Sequence, residues 1–330
     1  TGLIEIDQIR LIHQQVYPLS ISQVTQKKST VLFDVTNHRD TTVAFTSDGE
    51  AYELAGKQTL TLSRGVRSET PLEALSVTLR CPDWPPARRT VWVVNPEVGS
   101  DWLVKPLGDG TLSVARDGSV AVVRKANRVV ATLGPLVTID GQCPNLRLID
   151  GKNTVRFRGA EVSLSLTATG NEIDIEIDSG RLCEGPVVRT EGGLEQGLFA
   201  GLEYLGKGER SSSQLDIKTP EHIRFAPDPL KVTMPLMAVV TDRASVAVTW
   251  DDMTLQPGYA TPKFFDGTHD HRMALQGKSI RATIRVTEDP LEESIAWVVG
   301  RKGLPDLPPA PRSVAQQQAL CLAALGGPLK

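Results

Sequence analysis

One stretch, 172–178, constrains the fold more than any other part of the chain: it reads Glu-Ile-Asp-Ile-Glu-Ile-Asp. Successive side chains of a β-strand point to opposite faces, so Ile173, Ile175 and Ile177 share one face and four carboxylates share the other. This alternation requires a sheet with one buried face and one solvated face. A row of acids also suits a metal or acid–base site, but a solvated outer face is the interpretation that the pattern favours.

Short alternating segments recur along the chain, and polar turns separate them. Asp-Gly pairs at 109–110 and 117–118 favour the positive φ angles of tight hairpins. Regular short strands without a long helical period predict an all-β chain of antiparallel sandwiches. The clearest further segments are 30–36, 77–80, 162–167 and 280–286.

Composition divides the chain into three parts. Asn95-Pro96 marks the end of a first β-sandwich module, residues 1–95, and a larger all-β part follows at 96–300. Residues 301–330 read as a proline-rich linker and a short C-terminal helix, because a stiff Pro-rich run precedes a serine N-cap and ends before Gly-Gly.

Charge and hydropathy exclude two classes of partner. The formal net charge is -3, whereas nucleic acids and anionic membranes are bound through a basic field. No apolar run approaches the roughly 20 residues that span a bilayer, so we predict no membrane span.

The four cysteines, Cys81, Cys143, Cys183 and Cys321, contain no Cys-x-x-Cys pair, which argues against a zinc or redox site. We expect buried free thiols, with one disulfide as the alternative in a secreted protein. No cofactor is predicted.

Two dense polar patches contain the candidate functional residues. The first holds Glu203, Tyr204, Glu209 and Arg210. An arginine beside carboxylates binds sugar hydroxyls through charge-assisted hydrogen bonds, and a structural ion pair is the alternative.

Trp250-Asp251-Asp252 ends an apolar strand and begins the second patch. An exposed Trp beside acids is a common platform for stacking a sugar ring, whereas a core Trp at a strand end is the alternative. If the chain is an enzyme, its paired carboxylates come from Glu203, Glu209, Asp251 and Asp252, and hydrolysis requires two of them about 5 to 9.5 Å apart.

His269 and His271 complete the second patch. Their i, i+2 spacing puts both on one face of a strand, and Asp266 precedes them. They are candidates for carbohydrate binding. Together with Asp266 they are also the candidates for a metal site, although no third ligand is marked by spacing and surface polar groups are the favoured interpretation.

Several of these segments resemble known families. The strand, Asn-rich turn and strand at 30–45 resemble bacterial immunoglobulin-like modules. Phe-Ala-Gly-Leu-Glu-Tyr-Leu at 199–205, Gly-Glu-Arg-Ser-Ser-Ser at 208–213 and Thr-Met-Pro-Leu-Met-Ala at 233–238, with the Trp250-Asp251 strand end, resemble a galactose-mutarotase-like β-supersandwich. The second resemblance covers roughly 95–286.

The resemblance implies a large antiparallel sandwich from a bacterial, secreted or cell-surface, multidomain carbohydrate-active protein. Such domains often precede a helical catalytic toroid. The expected function is therefore a carbohydrate-binding or accessory region, with Tyr204, Arg210, Trp250, Asp251, His269 and His271 as its site. The alternatives are a self-contained glycoside hydrolase or polysaccharide lyase, and a structural surface module.

Overall fold

A computed structural model describes residues 17–26, 29–67, 69–98, 101–207, 223–225, 232–260 and 272–304. The first part of the chain contains the strands β1 (Leu19–Gln26), β2 (Thr30–Asn37), β3 (Val43–Ser47), β4 (Glu50–Leu54), β5 (Thr59–Gly65), β6 (Leu72–Arg80) and β7 (Ala87–Val94). The strands that follow are β8 (Trp102–Leu107), β9 (Gly110–Ala115), β10 (Ala121–Lys125), β11 (Arg128–Leu133), β12 (Thr138–Ile139), β13 (Arg147–Asp150), β14 (Thr154–Arg158), β15 (Val162–Thr169), β16 (Glu172–Glu184), β17 (Val188–Thr190), β18 (Leu194–Phe199), β19 (Glu203–Leu205), β20 (Ile223–Phe225), β21 (Leu236–Thr241), β22 (Ser245–Trp250), β23 (Gln256–Ala260) and β24 (Arg272–Thr287). A helix, α1 (Leu291–Lys302), follows them.

The first seven strands form a sandwich of two sheets, with orders β1-β2-β5 and β4-β3-β6-β7. Alternation in β2 buries Val31, Phe33 and Val35 completely, as its sequence pattern predicts. Residues of both sheets, among them Phe33 and Val77, belong to one hydrophobic core cluster. The sheets therefore pack face to face over a common core.

The later strands form a larger system that meets at β24. One run of antiparallel pairs leads from β13 through β14, β15 and β16 to β24, and continues through β22 and β21 to β18. A second run leads from β8 through β9, β10, β11 and β17 to the beginning of the same strand. Inward residues of both runs share one core cluster, so the all-β supersandwich architecture is confirmed.

The alternating segment 172–178 lies in β16 and confirms the prediction made for it. Ile173, Ile175 and Ile177 are at most 1% exposed and belong to the core. Glu176 and Asp178 are exposed on the opposite face. The half-buried sheet that the alternation requires is therefore present.

A buried arginine joins the two sandwiches. Arg189 in β17 donates hydrogen bonds to the carbonyl oxygen of Gly134 at 2.9 Å and to that of Trp92 in β7 at 3.1 Å. Its residue is 7% exposed, so these bonds are shielded from water. The boundaries predicted near 95 and 300 stay predictions.

The helix α1 has acids in its first turn and Arg301 and Lys302 in its last, which complements the helix dipole. It ends in a Schellman motif: the Leu304 amide donates to the Val299 carbonyl at 3.0 Å, and Gly303 has a positive φ of 59°. The further helix predicted within 301–330 lies outside the described residues. No helix of the described chain is long and apolar enough to cross a membrane.

Candidate functional site

Trp250 is a core residue. It is 1% exposed, and it alternates with Val246 and Val248 on the inward face of β22, where all three belong to the larger core. A ring enclosed in this way has no free face on which a sugar could stack. The structure therefore shows the core alternative, and the expectation of a Trp250 sugar platform is wrong.

Tyr204 points to the other face of the same sheet. Its strand neighbour Glu203 is paired with Phe199 on the next strand. Phe199 is paired in turn with Met237, and Met237 with Val248, so all four side chains lie on the inward face. Adjacent residues on a strand face opposite ways, so Tyr204 faces outward, and it is 68% exposed. The rings of Tyr204 and Trp250 thus project from opposite faces and form no common hollow.

The candidate carboxylates are separated in the same way. Glu203 is 5% exposed on the inward face. Asp251 is exposed. Its amide donates a hydrogen bond to the Arg281 carbonyl at 3.3 Å, which continues the register in which Trp250 is paired with Ala282. That register places Asp251 on the outward face. Glu203 and Asp251 therefore do not form the facing pair that glycoside hydrolysis requires.

Asp252 stabilises a turn. Its carboxylate accepts a hydrogen bond from the Thr254 amide at 2.8 Å. Hydrogen bonds from Thr254 lower the pKa of Asp252, because they stabilise the charged form. A general acid in glycoside hydrolysis needs a raised pKa, so Asp252 is unsuited to that role.

The remaining predicted site residues, Glu209, Arg210, Asp266, His269 and His271, lie outside the described residues. Within the part of the chain that the structure does describe, no group of three His, Cys, Asp or Glu side chains is arranged to hold a metal ion.

Three cysteines are free thiols, as the sequence predicts: Cys81, Cys143 and Cys183. Burial raises the pKa of Cys143 to about 12, with a smaller contribution from Asp117. Burial likewise raises the pKa of Cys183 to about 11. A thiol with so high a pKa is a poor nucleophile at neutral pH. Cys321 lies beyond the described residues.

The outward side chains of β14, β15, β16 and the middle of β24 form what we call the polar sheet face. Two cross-strand rows define it: Arg156, Ser165, Glu176 and Arg281 in one, and Arg158, Ser163, Asp178 and Ser279 in the other. Side chains that stand directly opposite across paired strands share a face, so each row runs across the sheet surface.

A trough lies along the middle of this face. It encloses about 290 Å³, with Ser163 and Ser165 between the arginines of β14 and the acids of β16. Neighbouring strands lie about 4.8 Å apart, so the arginines of β14 and the acids of β16, two strands away, are roughly 10 Å from each other. The short serine side chains leave the space between the longer ones open.

Opposite charges line the two walls of the trough. Arg156 and Arg158 are exposed and have no ion-pair partner among the described residues. On the other wall, Glu176 and Asp178 lie 3.8 Å and 4.0 Å from the guanidinium of Arg281. These groups are more than half exposed, so their pairing adds little to stability. Asp178 also accepts a hydrogen bond from the Ser279 hydroxyl at 2.6 Å, so Glu176 and the second carboxylate oxygen of Asp178 are the acceptors available to a ligand.

The polar sheet face was not recognised as a site in the sequence. Its signal was present, because Arg156 and Arg158 alternate with Val155 and Phe157 in the same way that the acids of β16 alternate with isoleucines. The pattern of one strand does not show which row its neighbour will supply. The serine floor between two charged walls is visible only once the register is known.

The fold and this face define an all-β sandwich protein with an open, charged and hydroxyl-rich sheet surface. No family model and no curated protein matches the sequence. Among solved structures, similarity is found to a cycloalternan-forming enzyme from Listeria monocytogenes in complex with a pentasaccharide substrate. That enzyme is 10% identical with a TM-score of 0.21, and the match covers 84% of this chain and 31% of that one.

An uncharacterized protein from Listeria monocytogenes EGD-e is similar at 10% identity and a TM-score of 0.20, over 83% of this chain and 30% of that one. The same protein in complex with α-D-glucose, β-D-glucose, magnesium and calcium gives a TM-score of 0.21 at 10% identity, over 84% and 31% of the two chains. This chain thus spans less than a third of the length of these structures. TM-scores this low carry no conclusion about function.

Proposed function

We propose that this chain is an accessory β-sandwich region that binds carbohydrate on the polar sheet face, within a larger secreted or cell-surface carbohydrate-active protein. A catalytic domain outside this chain supplies the chemistry in this proposal. The observation that carries it is the serine-floored trough between an arginine wall and an acid wall.

The trough offers what a polyhydroxylated ligand needs. Guanidinium groups only donate hydrogen bonds and carboxylates only accept them, whereas each sugar hydroxyl does both. A ring lying between Arg158 and Asp178 satisfies donors on one side and acceptors on the other, and the serine hydroxyls adapt to either. The volume of about 290 Å³ is at the small end of ligand pockets and open to solvent, which suits one or two sugar units.

An accessory role fits the carboxylates better than hydrolysis does. In the described part of the chain, the acids of β16 are neighbours on one strand, and Glu203 and Asp251 lie on opposite faces of a sheet. Neither arrangement puts an acid on each side of a scissile bond. The polar sheet face therefore holds a sugar without the geometry to cleave it.

Binding to a panel of neutral oligosaccharides tests the proposal. We expect measurable binding by the wild-type chain, and about tenfold weaker binding in Asp178→Asn or Arg158→Gln, since each change removes one charge-assisted hydrogen-bonding group. Ser165→Gln tests the shape of the site separately, because it fills the trough and leaves every charge in place.

Arg116→Gln is the matched control, since Arg116 pairs with Asp101 on the surface and lies outside the trough. It should bind as wild type does. If wild-type protein binds no oligosaccharide of the panel, the proposed function is wrong. If it binds but Asp178→Asn, Arg158→Gln and Ser165→Gln all bind normally, the site lies elsewhere.

A further inference from the structure

A second cleft lies at the turns of the larger sandwich and shares no lining residue with the polar sheet face. It encloses about 440 Å³ between the β10–β11 turn, the β21–β22 turn and the segment after β24. We call it the hairpin cleft. Its principal lining residues are Lys125, Arg128, Val130, Asp242, Arg243 and Glu288.

The two turns that form its walls are fixed by their backbone. Lys125 pairs with Arg128, so Ala126 and Asn127 form a two-residue hairpin loop, and their φ angles of 45° and 62° are those of a type I′ turn. In the other turn the Thr241 hydroxyl donates to the Glu191 carbonyl at 2.9 Å. These contacts fix the conformation of the two turns that line the cleft.

The acid of the second turn is positioned in the same way. Asp242 accepts a hydrogen bond from the Gly193 amide at 2.8 Å. Gly192 is required beside it, because its φ is +108° and an added Cβ would lie 2.2 Å from the Asp242 carboxylate. A carboxylate has up to four acceptor positions, so Asp242 retains capacity for a ligand hydroxyl.

Lys125 forms the inner wall of the cleft. The residue is 9% exposed, and its ammonium lies 2.9 Å from Asp109 and 3.9 Å from Glu288. The close contact with Asp109 neutralises this ammonium, so Lys125 supplies no free positive charge to the cleft, and the longer contact leaves the exposed carboxylate of Glu288 available to a ligand.

Two guanidinium groups at the mouth of the cleft supply the positive charge that is available to a ligand. Arg243 lies 3.8 Å from Glu191, a contact about half exposed on both sides and therefore weak. Arg128 is exposed and has no ion-pair partner in the described residues. The cleft thus combines two available guanidiniums with one positioned carboxylate, Asp242, and one exposed carboxylate, Glu288.

We propose that the hairpin cleft binds a hydroxylated carboxylate such as a uronic acid. Arg128 and Arg243 receive the ligand carboxylate through charge-assisted hydrogen bonds, and Asp242 and Glu288 accept bonds from its hydroxyls. This site is separate from the polar sheet face and does not depend on it.

Titration calorimetry with glucuronate, glucose and inorganic sulfate tests the assignment. We expect saturable binding of glucuronate, and at least tenfold weaker binding in Arg128→Gln and in Arg243→Gln. Glucose lacks the carboxylate and sulfate lacks the hydroxyls, so each should bind at least tenfold more weakly than glucuronate.

Two controls separate this site from the first. Arg116→Gln and Asp178→Asn should both leave the affinity for glucuronate unchanged. Asp178→Asn should, however, weaken the binding of neutral oligosaccharides to the polar sheet face. No saturable glucuronate binding, or equal binding of glucose or sulfate, overturns the proposal. Loss of affinity in Asp178→Asn, with normal affinity in both cleft variants, would move the ligand to the polar sheet face and equally overturn it.

Discussion

Replacing Trp250 by alanine should destabilise the larger sandwich strongly, whereas replacing Tyr204 by alanine should not. The two aromatic residues belong to the same sheet and differ in exposure, at 1% and 68%. Tyr204→Ala is therefore the matched control: it removes a ring of similar size from a face that water already reaches. We expect it to change the free energy of unfolding by less than about 0.5 kcal/mol.

The magnitude for Trp250 follows from its burial. A tryptophan side chain buries about 200–250 Å² of surface, which corresponds to an upper limit of roughly 5–6 kcal/mol at about 25 cal/mol per Å². The unfolded chain already hides part of that surface, and core Trp→Ala substitutions typically cost about 3–5 kcal/mol. We expect a loss in this range.

Urea unfolding followed by far-UV circular dichroism measures both changes without depending on Trp fluorescence. Trp250→Phe keeps much of the apolar surface, so it should lose less unfolding free energy than Trp250→Ala. It tests the core assignment even if Trp250→Ala does not fold. A loss below about 1 kcal/mol for Trp250→Ala would refute the core assignment. So would normal stability combined with lost sugar binding, since that is the behaviour of an exposed platform.

Two further predictions concern an arginine and two thiols that are buried or partly buried. Arg189→Met should destabilise the chain by about 2–4 kcal/mol, because it leaves the carbonyls of Gly134 and Trp92 without their buried donor. Since Arg189 joins the two sandwiches, the variant should also show two calorimetric unfolding transitions. A single transition at the wild-type temperature would contradict this prediction. Cys183 is buried and Cys143 is partly buried, and the pKa values of their thiols are raised to about 11 and about 12. Both thiols should therefore resist iodoacetamide at pH 8 in the native protein, react faster as the pH rises toward those values, and react readily in urea. Fast alkylation of the native protein at pH 8, measured by mass spectrometry, would contradict these raised pKa values.

The outcome for β16 and β22 shows what local pattern can and cannot predict. In β16 one face is solvated, so the acids and isoleucines alternate and the orientation of each residue is readable. In β22 all six residues are buried, including Ser245 and Thr249. The sequence of β22, Ser-Val-Ala-Val-Thr-Trp, puts Trp250 on the face of Val246 and Val248, but it does not show that both faces of the strand are covered. The acids after Trp250 therefore suggested exposure that the ring does not have.

The trough depends on the register of three consecutive strands, whereas the hairpin cleft depends on the meeting of turns that are distant in sequence. The trough requires Arg158, Ser163 and Asp178 to come into register across three strands. The hairpin cleft requires turns more than a hundred residues apart to meet, Lys125–Arg128 with Thr241–Ala244. The sequence identifies each turn and strand, but such long-range partners are set by the packing of the whole core.

The alternation that made the fold readable also concealed the site. A solvated sheet face and a sugar-binding sheet face have the same period, because both put polar groups outside and apolar groups inside. What distinguishes the polar sheet face is how side-chain length changes from strand to strand: the short serines of β15 lie between the long arginines of β14 and the acids of β16. Filling the row with Ser165→Gln changes neither the period nor the charge, so a loss of binding in that variant would show that the trough, and not general polarity, makes this face a site.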